Sequence, residues 1–183
     1  MRLRGSILVF LVIWVLFSCA TVEESTNPNL TEFQRSFVHF LVDSEGNQVD
    51  DSILEETQYL FVYYSASWCG PCHRFTPGLV DFYERNHERY GNFEVVLYSW
   101  DRSASDTYDY MEEYGMEFPT VNYYRRESSG LDEFEPNGIP TLVLLDSEGN
   151  IVQDSWDGDQ YLGAGRVLTY FDRNCVPDGV NSK

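Results

Sequence analysis

Ser65-Ala66-Ser67-Trp68-Cys69-Gly70-Pro71-Cys72 joins two stretches of opposite character. Before it, Leu60-Phe61-Val62-Tyr63-Tyr64 is a continuous run of aromatic, β-branched and aliphatic residues, which suits a strand buried on both faces. After it, from Pro71, apolar residues recur at Phe75, Leu79, Phe82 and Tyr83, the spacing of one helix face. Gly91 ends that helix, and Pro77 within it is expected to kink it rather than abolish it. The two cysteines therefore stand where a strand gives way to a helix. A free thiol with a pKa near about 8.5 is mostly protonated at neutral pH, whereas the thiolate is the nucleophile. Unpaired N–H groups and the positive end of the dipole at a helix start favour the anion. Two intervening residues place the second sulfur one turn inside the helix, within bonding reach. Pro71 suits the first turn, where no N–H is needed. These positions predict Cys69 as nucleophile toward a disulfide and Cys72 as the thiol that resolves the mixed disulfide.

Working outward, Phe93 to Tyr98 reads as another strand, and Ser103-Ala104-Ser105-Asp106 resembles a capping box opening a helix towards Tyr114 and Gly115. Thr141 to Leu145 is a strand directly after Pro140. Asp146-Ser147-Glu148-Gly149-Asn150 turns the chain, and Ile151-Val152 starts the hairpin partner. Phe37 to Val42 is a further strand candidate, closed by Asp43-Ser44-Glu45-Gly46-Asn47. Tyr161 to Arg173 reads as a terminal helix diluted by Gly163 and Gly165. Strands alternating with helices and ending in a hairpin imply an α/β fold whose central sheet is of mixed direction. The chain of 183 residues has room for one domain, and 43% hydrophobic with 16% aromatic residues is too apolar for a disordered one.

The first residues differ from the rest. Arg2 and Arg4 precede the apolar run Ile7 to Phe17, and Ser18, Cys19 and Ala20 follow as small residues, the plan of a secretory signal. An uncleaved anchor is the alternative, but a spanning helix needs roughly 20 apolar residues. The expected organisation is a signal peptide at 1–18, a flexible polar tether at 19–32, a domain at 33–175 and a tail at 176–183. Leu16-Phe17-Ser18-Cys19 also resembles the bacterial lipobox. That resemblance implies lipidation at Cys19 and anchoring at the periplasmic face of a bacterial membrane; without it the protein would be secreted or periplasmic. Lys and Arg total 12 against 30 Asp and Glu, a net charge of −18. Such a surface repels phosphate backbones, which argues against nucleic acid as a partner. The acidic residues between Asp101 and Glu135 contain no paired-carboxylate motif and read as solvated surface.

Two rival chemistries share the motif. A zinc site needs four ligands, and no second cysteine pair exists; His39, His73 and His87 are not at a ligand spacing. Cys69-Gly70-Pro71-Cys72-His73 also satisfies the pattern for c-type haem attachment, with Met111 or Met116 as conceivable second axial ligands. The position of the motif between a buried strand and a helix favours a redox dithiol, with His73 facing solvent. Cys175 has no evident partner and reads as a bystander.

Ser65 to Cys72 resembles the active site of the thioredoxin superfamily. Arg74-Phe75-Thr76-Pro77, Ser99-Trp100-Asp101, Phe118-Pro119 and Gly138-Ile139-Pro140-Thr141-Leu142 are similar to its tryparedoxin and nucleoredoxin branch. The resemblance covers about residues 35 to 160 and implies a thioredoxin-like fold with helices flanking the sheet. It implies a thiol–disulfide oxidoreductase that reduces or isomerises protein disulfides, with no bound cofactor, an upstream thiol donor and a monomeric chain. It further implies that Pro140 is a cis-proline facing the disulfide, that Ile139 offers backbone groups to an extended client, and that Trp68, Gly70 and Pro71 border the docking surface. A non-catalytic peptide-binding module of the same fold is the alternative, which would have no need of both sulfurs. Two departures stand out. Thioredoxins proper carry a buried Asp where this chain has Tyr63, and tryparedoxins usually have two prolines where it has Gly70-Pro71. The Gly-Pro pair, as in thioredoxin, predicts a reducing couple.

Overall fold

The computed structural model describes residues 25–177. The expected signal segment 1–18, Cys19 with its lipidation, and residues 178–183 of the tail lie outside the described residues.

Six strands form one mixed sheet in the order β1-β4-β3-β2-β5-β6. They are β1 Leu41–Val42, β2 Tyr59–Ser65, β3 Phe93–Ser99, β4 Thr120–Val121, β5 Thr141–Asp146 and β6 Ile151–Asp154. β2 pairs in parallel with β3 and antiparallel with β5, so it is flanked along its length on both edges. Its unbroken apolar sequence follows from burial on both faces: Phe61 and Tyr63 enter one core cluster, while Leu60, Val62 and Tyr64 enter the other. β3 and β5 divide in the same way, with Val95, Leu97, Leu142 and Leu144 on one side and Val96, Tyr98, Val143 and Leu145 on the other. A separate two-stranded hairpin, β7 Trp156–Asp157 and β8 Gln160–Tyr161, follows β6.

Helices cover the sheet: α1 Glu32–Phe37, α2 Gly70–Tyr90, α3 Ala104–Tyr114 and α4 Gly165–Asn174. α2 runs through Pro77 and ends at Gly91, whose φ of 63° supplies the left-handed C-cap. Ser103 caps α3 by accepting from the Asp106 N–H, and Gly115 closes it with φ of 62°. α2 supplies Leu79, Phe82 and Tyr83 to the first cluster, and α4 supplies Val167 and Phe171. The two Asp-Ser-Glu-Gly-Asn segments adopt one turn twice. Asp43 and Asp146 each accept from the N–H groups two and four residues ahead, and Gly46 and Gly149 take φ of 82° and 86°.

Three expectations are corrected. Phe37 to Val42 is not one strand: Phe37 ends α1, Val38–Phe40 is a 3₁₀ turn, and only Leu41–Val42 pairs in the sheet. Phe37, Val38, Phe40 and Leu41 are all buried, and burial all round erases the periodicity that separates strand from helix. The polar segment before residue 33 is attached from Ser25 onwards. Asn27 donates to Glu55, Leu30 is buried, and Thr31 forms a capping box with Gln34. The terminal helix begins at Gly165 rather than Tyr161, because Tyr161 belongs to the β7–β8 hairpin.

His87 near the end of α2 lies 3.0 Å from Glu94, whose side chain is fully buried at the start of β3. The hydrogen bond to Glu94 raises the His87 pKa above its usual value against the opposing effect of burial. A raised folded-state pKa gives stability that is complete below about 6.5, the unfolded value, and is lost as pH rises through the folded value. In chemical denaturation, His87→Gln should therefore cost more at pH 5.5 than at pH 9. An equal cost at both would remove this ion pair from the account.

Candidate functional site

β2 ends at Ser65, the chain crosses Ala66, Ser67 and Trp68, and α2 starts at Gly70 with Cys69 as its N-cap. Pro71 occupies the first turn. Cys69 and Cys72 form a disulfide, with Cα atoms 5.2 Å apart. The Cys72 N–H donates to Cys69 Sγ at 3.2 Å, so an unpaired donor of the helix start meets the first sulfur. Cys72 is fully buried and Cys69 retains 5% exposure. Beside them Trp68 is 55% exposed, and Gly70 and Pro71 are exposed as well.

Ile139-Pro140 is a cis peptide bond. The Ile139 carbonyl lies 3.8 Å from Cys69 Sγ, and Ile139 packs against Ala66 and the two cysteines. The structure thus gathers Cys69, Cys72, Trp68, Gly70, Pro71, Ile139 and Pro140 at one end of the sheet. The β7–β8 hairpin supports the proline loop: Tyr161 donates to the Pro140 carbonyl at 2.8 Å, and the Trp156 indole donates to Thr141 at 2.7 Å. Neither residue carries a recognisable sequence signal, since the hairpin is only two residues per strand.

Asp101 itself departs from the reading of the acids between Asp101 and Glu135 as solvated surface. It is 1% exposed. One carboxylate oxygen accepts from the Ser67 N–H at 2.9 Å and the Ser67 hydroxyl at 2.7 Å; the other accepts from Ser99 at 2.8 Å. A buried carboxylate is tolerated when it is this fully bonded. It fixes the loop between β2 and Cys69 from the neighbouring strand end. Small hydroxyl residues at 67 and 99 around an acid are the one sequence hint.

Beneath Cys72 lies a neutral network. Thr76 donates to the Cys72 carbonyl at 2.9 Å, and its hydroxyl meets Tyr63 at 2.8 Å and Tyr110 at 2.5 Å. Ser65 joins Tyr63 and Tyr110, each at 3.0 Å. Burial drives the Tyr63 phenol far above its ordinary pKa, so this position holds a protonated hydroxyl where thioredoxins proper hold a carboxyl. His73 is not a solvent-facing residue. Its ring nitrogens are engaged by the Tyr114 hydroxyl and the Ser67 carbonyl, each at 2.5 Å. Both nitrogens are thereby committed, and Met111 and Met116 are buried in the core, so these residues do not fit axial ligation of a haem.

A family model described as "Thioredoxin-like" matches residues 57–151. Tryparedoxin of Trypanosoma brucei brucei is 45% identical over 92 residues, 49% of this chain and 61% of that protein. Probable nucleoredoxin 1 of Arabidopsis thaliana is 39% identical over 134 residues, 72% of this chain and 21% of that protein. The chain therefore spans under two thirds of either relative. Among solved structures, tryparedoxin II of Crithidia fasciculata has a TM-score of 0.61 at 28% identity, covering 85% of this chain and 97% of that one.

Replacing Asp101 by Ala would strand the Ser67 N–H and two hydroxyls. Each buried group left unsatisfied costs roughly 1–3 kcal/mol, so a loss of at least about 3 kcal/mol is expected in urea unfolding. A loss below about 1 kcal/mol would show that the loop does not depend on this carboxylate.

Proposed function

Because the chain belongs to the thioredoxin-like family, we propose that it is a thiol–disulfide oxidoreductase that reduces or isomerises protein disulfides through Cys69 and Cys72. The observation that carries this reading is a disulfide at a helix N-terminus beside a cis-proline loop. In the dithiol state the Cys69 thiolate attacks a client disulfide, forming a Cys69–client bond and releasing one client thiolate. The Cys72 N–H supports the attacking anion, as charge-assisted hydrogen bonds do. Cys72 then attacks Cys69 Sγ, releasing the second client sulfur; its proton goes to the client thiolate freed first. Two electrons pass to the client, and the Cys69–Cys72 bond that results is reopened by an upstream thiol donor.

Docking follows from what surrounds the sulfurs. Trp68, Gly70 and Pro71 offer exposed surface on one side, and the Ile139 backbone, held by the cis bond to Pro140, lies on the other. An extended client segment lying between them would bring its own sulfur to Cys69.

Wild-type protein should accelerate insulin reduction by dithiothreitol, and Cys69→Ser should fall to the uncatalysed rate. Cys72→Ser should accumulate clients as mixed disulfides, visible as thiol-sensitive adducts on gels. Acceleration by Cys69→Ser would end the proposal. A non-catalytic binder would hold peptides while leaving the insulin rate unchanged.

The direction of the couple is testable separately. With Gly70-Pro71 between the sulfurs, the potential should lie near about −270 mV, the reducing end of the range. A value close to about −120 mV, measured against glutathione, would make the protein an oxidant.

A further inference from the structure

A cleft of about 460 Å³ opens beside the disulfide, within the roughly 300–1,000 Å³ usual for ligand sites. Trp68, Tyr98 and Trp100 supply its aromatic lining. Two of these residues also border the sulfurs: Trp68 precedes Cys69, and Trp100 packs against the Ala66, Cys69 and Cys72 cluster. The Trp68 indole donates to the Trp100 carbonyl at 3.3 Å, tying the pair together.

Glu127, Asp132 and Glu135 supply the acidic lining. They come from the 3₁₀ segments Tyr123–Ser128 and Leu131–Phe134 and the residue after the second. Ion pairs among the described residues join Arg85 to Asp81 and His87 to Glu94, and neither involves these carboxylates. Arg126 also lines the cleft, but it is committed elsewhere. It donates to the carbonyls of Ser99 at 2.9 Å and Asp101 at 3.2 Å and lies 4.6 Å from the Tyr123 ring centroid. Three carboxylates against one guanidinium leave two negative charges. The Tyr98 phenol registers that field: its pKa is pushed up to about 12, first by burial and then by Asp132 and Glu135.

Aromatic faces attract a cation through their quadrupole, and free carboxylates pair with it; an anion meets repulsion from the carboxylates. We propose that this cleft receives a Lys or Arg side chain of the client polypeptide next to its reacting cysteine, so that basic clients are selected. The proposal rests on the oxidoreductase reading and adds the substrate class. Acidity alone does not explain it, because the cleft joins carboxylates to aromatic rings at the sulfurs themselves.

The test uses pre-reduced protein and peptide disulfides of equal length with Lys-Arg, Gln-Gln or Glu-Glu beside the half-cystine, followed as single turnovers at 0.15 M salt. The basic peptide should react about tenfold faster than the neutral one, equivalent to about 1.4 kcal/mol. In Glu127→Gln/Asp132→Asn/Glu135→Gln that ratio should fall to within about twofold. Glu56→Gln/Glu88→Gln/Glu113→Gln, which removes as much charge from exposed positions elsewhere, should keep it. A ratio near one in wild type, or equal losses in both variants, overturns the proposal. Binding is read independently with peptides carrying Ser for the half-cystine. The basic peptide should perturb tryptophan fluorescence in wild type and lose that effect in the cleft variant. No perturbation in wild type sinks the cleft, whereas perturbation without turnover sinks the redox reading alone.

Discussion

The site depends on the register of one strand. Tyr64 of β2 stands opposite Thr141 of β5, and Ser65 stands beside Ser99 of β3. Antiparallel pairing with β5 brings the start of that strand, and the cis-proline before it, to the end of β2 where the cysteine loop departs. Parallel pairing with β3 delivers Trp100 and Asp101 to the same end. A slip of one residue would exchange the faces of Tyr63 and Tyr64 and separate the three loops. Burial on both sides of β2 is what makes such a slip prohibitive, since every apolar residue would exchange clusters at once.

This dependence explains what could be read from residues alone. The runs at Leu60–Tyr64, Phe93–Tyr98 and Thr141–Leu145 are legible because a strand buried on both faces has no polar side to blur it. Gly91 and Gly115 are legible because a helix stop needs a left-handed residue. The cysteine pair is legible because a thiolate at a helix start has a local cause. Asp101 escaped because an acid among acids looks like surface until its donors are placed around it, and two of the three lie 34 residues away at Ser67. Phe37 to Val42 escaped because it is buried from all directions. Thr31 and Gln34, three residues apart, did carry the signature of the helix that ends at Phe37, where the expected strand would begin. Tyr161 reads as helix in the sequence because nothing local reveals that its hydroxyl donates to the Pro140 carbonyl.

The ground beneath the sulfurs is uncharged. Four hydroxyl groups, from Tyr63, Ser65, Thr76 and Tyr110, satisfy one another in a buried space where a lone carboxylate would be costly. Charge is kept to one side instead, on the fully bonded Asp101 and on the open cleft beyond Trp68. The reactive loop is thus held from a neutral base and a charged flank, two supports that can be altered separately by mutation.

Cys175, near the end of α4, is buried as a free thiol and burial raises its pKa. It neighbours Tyr59, the first residue of β2, whereas Cys69 lies beyond that strand's last. Seven strand residues at about 3.3 Å each separate the two places by roughly 20 Å, many times a sulfur–sulfur bond. The third thiol is therefore insulated from the other two by the full height of the sheet. Among the described residues, exchange between Cys175 and the Cys69–Cys72 pair has no route while the sheet is intact.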